Sequence, residues 1–314
     1  MAAAMLRDQI ALNSTHSSEG PRARSVSSIA FEILNARTPV RLLSGAHQQT
    51  LLKRLVQERL TPAKASQWGL SPESLELEGF VQELRDLLAV VIESGLTPER
   101  LEQLQSDFPK LRLGPAIELL ASYREELGLE GLVDSSQLAV AAAAENLDSL
   151  PHRYLLVDDA QNLSSGQLKL IEALARKKVL FVFGDPDVAT LGFRNSSGSQ
   201  FLELARSLGA NQLVLQPSGS MSCVQNLLSA IASRIPASGP VTHRPQPGEV
   251  ADSVSAQRFD NLVAETDNLA AELRRIRLLR GLEWSEMLVV GRTRVQLEQL
   301  ARELSSRGVP VQIQ

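Results

Sequence analysis

The chain has 314 residues, 43% of them hydrophobic and 22% charged, with a formal net charge of −4. That is enough chain for two globular domains and too apolar for a disordered one, while its longest apolar stretches, Leu87–Ile92 and Leu138–Ala144, are far too short to span a bilayer. The single cysteine, Cys223, excludes an internal disulfide framework and a cysteine-rich metal site, and it fits a reducing cytoplasm, the expected location.

In chain order, the first segment reads as an amphipathic helix (Ala4, Leu6, Ile10, Leu12) whose charges leave no signal-peptide core. After a break at His16–Arg22, Ser25, Ser27 and Ser28 open a second helix with the apolar stripe Ile29, Phe31, Ile33 and Leu34. From Arg41 to about Pro151 the periodicity is helical almost throughout, punctuated at Pro62, Gly69, Gly95, Pro98, Pro109, Gly128 and Gly131. Tyr154–Val157 then forms a short apolar run ending in Asp158 and Asp159. A helical pattern follows (Leu168, Ile171, Leu174, Ala175), and a buried-strand run, Val179–Phe183, stops at Gly184 and Asp185. In such a strand–helix–strand unit ligands collect at the carboxyl ends of the parallel strands, where these acidic residues fall. Gln212–Leu215 is a further candidate strand and Cys223–Ile235 a candidate helix. Pro236–Gly248 reads as a linker. The last unit is expected to hold a helix (Leu262–Leu279), a strand (Met287–Val290), a helix (Leu297–Leu304) and a strand (Val309–Ile313).

VDDAQ followed by GDPDVATLGFRNS resembles motifs II and III of the UvrD/Rep-type superfamily 1 DNA helicases, DExQ and GDPxQxIYxFRGA. Asp158, Asp159 and Gln161 match the first apart from Asp for Glu, and Gly184, Asp185, Pro186, Phe193 and Arg194 match the second. The resemblance implies an α/β fold: an incomplete RecA-like, P-loop NTPase-type parallel sheet, an all-helical insertion and the start of a second RecA-like domain. The implied divisions are 1–40, part of domain 1A without its phosphate loop; 41–151, the helical 1B insertion; 152–235, the rest of 1A with motifs II and III; 236–256, a linker; and 257–314, the start of 2A.

By the same resemblance the cofactors are ATP and Mg²⁺. Asp158 is the expected magnesium ligand, Asp159 and Gln161 complete the catalytic set, and Gly184 and Asp185 line the nucleotide. Ser25, Ser27, Ser28, Phe193 and Arg194 are expected to touch DNA, in single-stranded form or at a duplex end. The wording of VDDAQ and of the helical segment from Arg41 is most like the UvrD-related subunit of two-subunit helicase-nucleases, which implies a second helicase-nuclease subunit as partner, a role in DNA repair or end processing, and no membrane.

Departures from the family pattern point to a weakened motor. No Gly-Lys dipeptide exists in the chain, so GxxxxGK, whose amides and lysine cradle the phosphates, is missing. The expectation is that the chain begins downstream of that loop and stops before motifs V and VI. Asp159 is one methylene shorter than the family's Glu, a displacement of roughly 1 Å that can cost on the order of 10²-fold in rate. Val188 and Leu191 replace the Gln and Tyr of motif III, and Ser220 falls where the family has an arginine touching the γ-phosphate, a charge-assisted contact that serine cannot make. Arg292, at a strand end in LVVGRT, is the nearest basic candidate but matches another family position. The implied function is therefore an ATP-dependent DNA helicase polypeptide, fragmentary or degenerate, and inactive as this chain alone. The alternative is a motor-dead scaffold that binds DNA or a partner helicase without hydrolysing ATP. Four scattered histidines give no zinc spacing, and no GxSxG supports a serine hydrolase.

Overall fold

The computed structural model describes residues 2–14, 22–67, 69–147, 152–189, 196–215, 223–234 and 255–313. In chain order the elements are α1 (Ala2–Asn13), α2 (Val26–Asn35), β1 (Arg41–Leu42), α3 (Gly45–Arg59), α4 (Pro62–Gln67), α5 (Glu78–Ser94), α6 (Pro98–Asp107), α7 (Gly114–Glu130), β2 (Leu132–Val133), α8 (Ser135–Ala143), β3 (Tyr154–Val157), α9 (Ser165–Ala175), β4 (Val179–Val182), α10 (Gly198–Ser207), α11 (Cys223–Ala232), α12 (Leu262–Arg280) and α13 (Arg294–Ser306). The fold is mixed α/β, mostly helical with short parallel strands. Contacts divide the chain into two compact units: residues 1–216 with 232–245, and residues 217–231 with 246–314.

The first unit has two cores. In α5 the buried side chains Val81, Leu84, Leu88, Val91 and Ile92 recur at helical spacing, and the helix ends at Gly95, whose φ of 71° is the left-handed cap that glycine adopts without strain. Ser44 caps α3, and Thr97 caps α6 with Pro98 in its first turn. These helices and α7 close around Leu52, Leu55, Leu88, Leu101, Leu119, Leu120, Tyr123 and Leu127. Cutting one of the fully buried leucines to alanine is expected to cost about 2–5 kcal/mol. The entry and exit of this helical excursion meet in a parallel ladder, Arg41 opposite Leu132 and Leu42 opposite Val133, extended by Leu43 N–H donating to the Val133 carbonyl at 2.9 Å.

The second core gathers α2, α8, α9 and α10 onto the parallel pair β3–β4, in register from Tyr154 opposite Val179 to Val157 opposite Val182. Leu155, Val157, Leu180 and Val182 face this core. Tyr154, Leu156, Val179, Phe181 and Phe183 remain between 44% and 66% exposed. The run Val179–Phe183, read from its apolarity as a buried strand, is thus covered on one face only, because helices pack one side of the pair. In the second unit α12 and α13 share a small core of Ala270, Leu273, Leu304 and Val309, with Trp284 and Met287 against it. Arg307 binds Asp267 and Glu303 there.

Three expected strands do not form. Gln212–Leu215, Met287–Val290 and Val309–Ile313 have no ladder among the described residues. Alternating apolar residues make a strand only where a neighbouring backbone offers free N–H and C=O groups. Leu213, Leu215, Leu288 and Val290 are instead 73–83% exposed.

Candidate active site at the ends of the parallel strands

The ladder continues one step past β4, with Phe183 N–H donating to the Val157 carbonyl at 2.8 Å and Ala160 N–H donating to the Phe183 carbonyl at 3.0 Å. This brings Asp158–Gln161 beside Gly184–Asp185. Asp158 is exposed, and one of its carboxylate oxygens accepts the Asp159 N–H at 3.0 Å. Asp159 has φ 52° and ψ 38°, a left-handed conformation that Asp tolerates better than most side chains. It turns the chain out of β3 into a 3-10 turn, Ala160–Asn162.

Gln161 is only 2% exposed, so its amide must be satisfied from within. Its Nε2 donates to Asp159 Oδ1 at 3.3 Å and its Oε1 accepts from the Asp185 N–H at 3.2 Å. One side chain therefore ties the two acidic segments together. The tie needs a glycine at 184: a Cβ there would lie 2.7 Å from Gln161 Oε1 and 3.2 Å from the Phe201 ring. Asp185 Oδ1 accepts the Asp187 N–H at 2.9 Å and caps a 3-10 turn, Pro186–Val188. Gly198, opening α10, packs so closely under this turn that a Cβ would meet the Pro186 carbonyl oxygen at 2.3 Å.

The serines of α2 hold local structure. Ser25 caps the helix by accepting the Ser28 N–H at 3.2 Å. Ser28 accepts from the Arg24 guanidinium, which also pairs with Glu32. Ser27 Oγ accepts from Gln167 Nε2 at 3.3 Å, and Gln167 forms the capping box of α9 with Ser164. Ser164 pairs in turn with Ser196 across an antiparallel bridge. Hence Ser27 is linked to α9 and to the segment entering α10, while Ser25 and Ser28 serve their own helix. Val188 is half-exposed, and Arg292 is exposed in the second unit with no strand before it. Phe193, Arg194, Leu191 and Ser220 lie outside the described residues.

Among the described residues no group of three or more His, Cys, Asp or Glu side chains is placed to hold a metal ion by itself. Asp158 and its neighbours offer a few hard oxygen ligands, which suits Mg²⁺, an ion that keeps several waters and is held by one or two carboxylates together with substrate phosphates. The donor set fits a metal that arrives with a nucleotide. Among the described residues no helix is long and apolar enough to cross a membrane.

One buried polar group had no role assigned from the sequence. Asp134, 2% exposed, accepts from Tyr123 Oη at 2.6 Å, Ser136 N at 2.9 Å, Ser136 Oγ at 2.7 Å and Gln137 N at 2.8 Å. It caps α8 and fastens α7 to it. Burial, and then the Asp134 carboxylate, push the Tyr123 hydroxyl well above its ordinary pKa. The signal was present: an Asp before Ser-Ser-Gln and an apolar run is an N-cap pattern.

The family described as the UvrD/REP helicase N-terminal domain matches residues 1–208, which hold both cores of the first unit and all of Asp158–Asp185. No curated protein matches the chain.

Proposed function

The chain belongs to the UvrD/REP helicase family through its N-terminal domain, and from that premise we propose that Asp158, Asp159, Gln161, Gly184 and Asp185 form the nucleotide edge of a RecA-like domain 1A in an ATP-dependent DNA helicase. The observation carrying this reading is the Gln161 side chain, which joins Asp159 to Asp185 at the carboxyl ends of β3 and β4. In this arrangement Asp158 and Asp185 would hold Mg²⁺ brought by ATP, and the ion would neutralise phosphate charge. Asp159 orients the attacking water and accepts its proton. Gln161 fixes that carboxylate relative to the metal-holding edge, and Gly184 leaves room for the tie. Residues 41–151 serve as the helical 1B insertion, residues 257–314 open 2A, and Ser27 with Phe193 and Arg194 contact the DNA backbone. The cellular setting is DNA repair or end processing in the cytoplasm, beside a second helicase-nuclease subunit.

A second reading, a scaffold that binds DNA without hydrolysing ATP, is favoured by the short Asp159, whose carboxylate is already engaged by Gln161, and by Val188, which donates no side-chain hydrogen bond. Titration of the 314-residue protein with Mg·ATP and with a labelled DNA strand separates the parts of the proposal. Mg·ATP is expected to bind no tighter than roughly millimolar without a phosphate loop, and Asp158→Asn is expected to weaken it further while leaving DNA binding intact. Equal ATP binding by Asp158→Asn would remove the site assignment. Failure to bind DNA at low salt would remove the helicase reading.

A further inference from the structure

Parallel strands are ordinarily covered on both faces, yet helices pack only one face of β3–β4. On the other, Tyr154 and Leu156 of β3, Val179 and Phe181 of β4, and Phe183 just beyond form an exposed apolar strip. Tyr154 lies opposite Val179 and Leu156 opposite Phe181, so Leu156 and Phe181 stand abreast at its middle. A half-exposed aromatic presents about 100 Å² and an aliphatic somewhat less, which gives the strip roughly 450 Å². Two such strips face to face, with the charged groups at their ends, reach the ~1,000 Å² that a specific interface needs.

Those charges are sorted by sign. Because the strands run the same way, their amino ends share one end of the strip and their carboxyl ends the other. Arg153 precedes β3, and Arg176, Lys177 and Lys178 precede β4; Asp158 and Asp159 follow β3, and Asp185 and Asp187 follow β4. All but the half-buried Lys178 are exposed. From Arg153 to Asp158 is five steps of about 3.3 Å, roughly 16 Å. That is about twice the screening length in physiological salt, so the two ends do not neutralise each other within one molecule.

We infer that this face is covered by a second copy of the same chain, lying antiparallel to the first. A two-fold axis crossing the strands at the level of Leu156 and Phe181 lays Phe181 on its own counterpart and Val179 on Phe183 of the second copy. It also sets cationic end against anionic end twice. A two-fold running along the strands would instead bring like ends together. The charge order therefore selects one arrangement, and that arrangement is a closed, isologous dimer. A helix from another protein could cover the apolar strip, but it would need opposite charges at matching ends, which a second copy carries by construction. The inference goes beyond the nucleotide reading and uses Asp158 and Asp185 only as charges.

The test is sedimentation of the full 314-residue protein. The wild type is expected to show monomer and dimer with no larger species, and to dissociate about 10-fold more readily at about 0.5 M salt than at about 0.05 M. Arg153→Glu with Lys178→Glu makes both ends of the strip anionic, and Asp158→Lys with Asp187→Lys makes both cationic. Each double variant alone should be monomeric, while an equimolar mixture should form a one-to-one heterodimer; circular dichroism melts check that both are folded. A second measurement needs no charge change: in a Cys223→Ser background, a short bis-maleimide should join Phe181→Cys to itself, but should join Val179→Cys only when it is mixed with Phe183→Cys. A wild type that is monomeric at its highest soluble concentration, or that grows into open-ended aggregates, overturns the inference. So does a charge-reversed variant that dimerises alone, a mixture that stays monomeric, or Val179→Cys joined to itself. None of these results bears on the helicase reading.

Discussion

Removing the Asp134 carboxylate should be the most damaging single polar change in the first unit. Asp134→Ala deletes five accepted hydrogen bonds, uncaps α8 and leaves the Tyr123 hydroxyl, on a side chain 1% exposed, with Gln48 Nε2 at 2.7 Å beside it as a donor that cannot replace the lost acceptor. Loss of a helix cap costs about 1–2 kcal/mol, and a stranded buried hydroxyl about 1–3 kcal/mol more. Bonds to a charged acceptor are stronger than neutral ones but fail together, so the total is about 3–5 kcal/mol. For a unit of this size that lowers the thermal midpoint by roughly 6–20 °C. Urea unfolding followed by circular dichroism gives the loss, and a cycle with Tyr123→Phe gives the coupling, expected at about 1–2 kcal/mol. A loss under about 1 kcal/mol, or a coupling of zero, would refute the role given to this carboxylate.

Tyr123 makes the alkaline limb of stability diagnostic. Its pKa is raised in the folded state, so the unfolded chain ionises near the ordinary value of 10.0 while the folded one stays neutral. Its contribution is whole below that pH and falls by about 1.4 kcal/mol per pH unit above it; Tyr123→Phe should flatten this limb, and an unchanged slope would sink the assignment. Gly198→Ala forces a Cβ against the Pro186 backbone and should cost about 1–3 kcal/mol, read by urea midpoint; a neutral effect would contradict the close packing of α10. Gly184→Ala should expel the Gln161 amide from its tie, seen as loss of hydrogen-exchange protection at Asp185 N–H with the cores still protected. The bare apolar face of β3–β4 is expected to make the protein self-associate in sedimentation, and Leu156→Lys with Phe181→Lys should suppress this while leaving the unfolding midpoint nearly unchanged, since both side chains are about half or more exposed; association that persists would place the sticky surface elsewhere.

The parts legible in the sequence were those with strong local grammar. The period of α5, the left-handed Gly95 and Gly131 that end α5 and α7, and the apolar runs of β3 and β4 each follow from residues a few positions apart. The motif wording located Asp158–Gln161 and Gly184–Asp185, and the family match covers them. Illegible were facts that depend on distant backbone. Gln212–Leu215 and Met287–Val290 alternate like strands, yet pairing is decided by a neighbour, which no local pattern encodes. Asp134 stands in an N-cap pattern, but its bond to Tyr123, eleven residues earlier in the chain and across a helix boundary, is encoded by nothing local. Gln161 appeared as a motif letter, whereas its use is to be a buried amide with one bond to each side.

The two-residue ladder β1–β2 has a consequence for how this chain can be rearranged. Parallel neighbours lie about 4.8 Å apart, and with Arg41 opposite Leu132 the stubs at Leu43 and Gly131 are offset by about three residues along the strands, roughly 10 Å. Residues 43–131, with their own apolar interior, therefore enter and leave through a narrow doorway, and because its two strands are parallel, closing it takes a crossover of about a dozen residues rather than a tight turn. The stretch is a cassette fastened at more than its doorway: α5 lies against α8 and α9, Lys169 Nζ donates to the Glu93 and Ser94 carbonyls, and Asp134 accepts from Tyr123, so a wholesale deletion would also bare the helices that α5 covers.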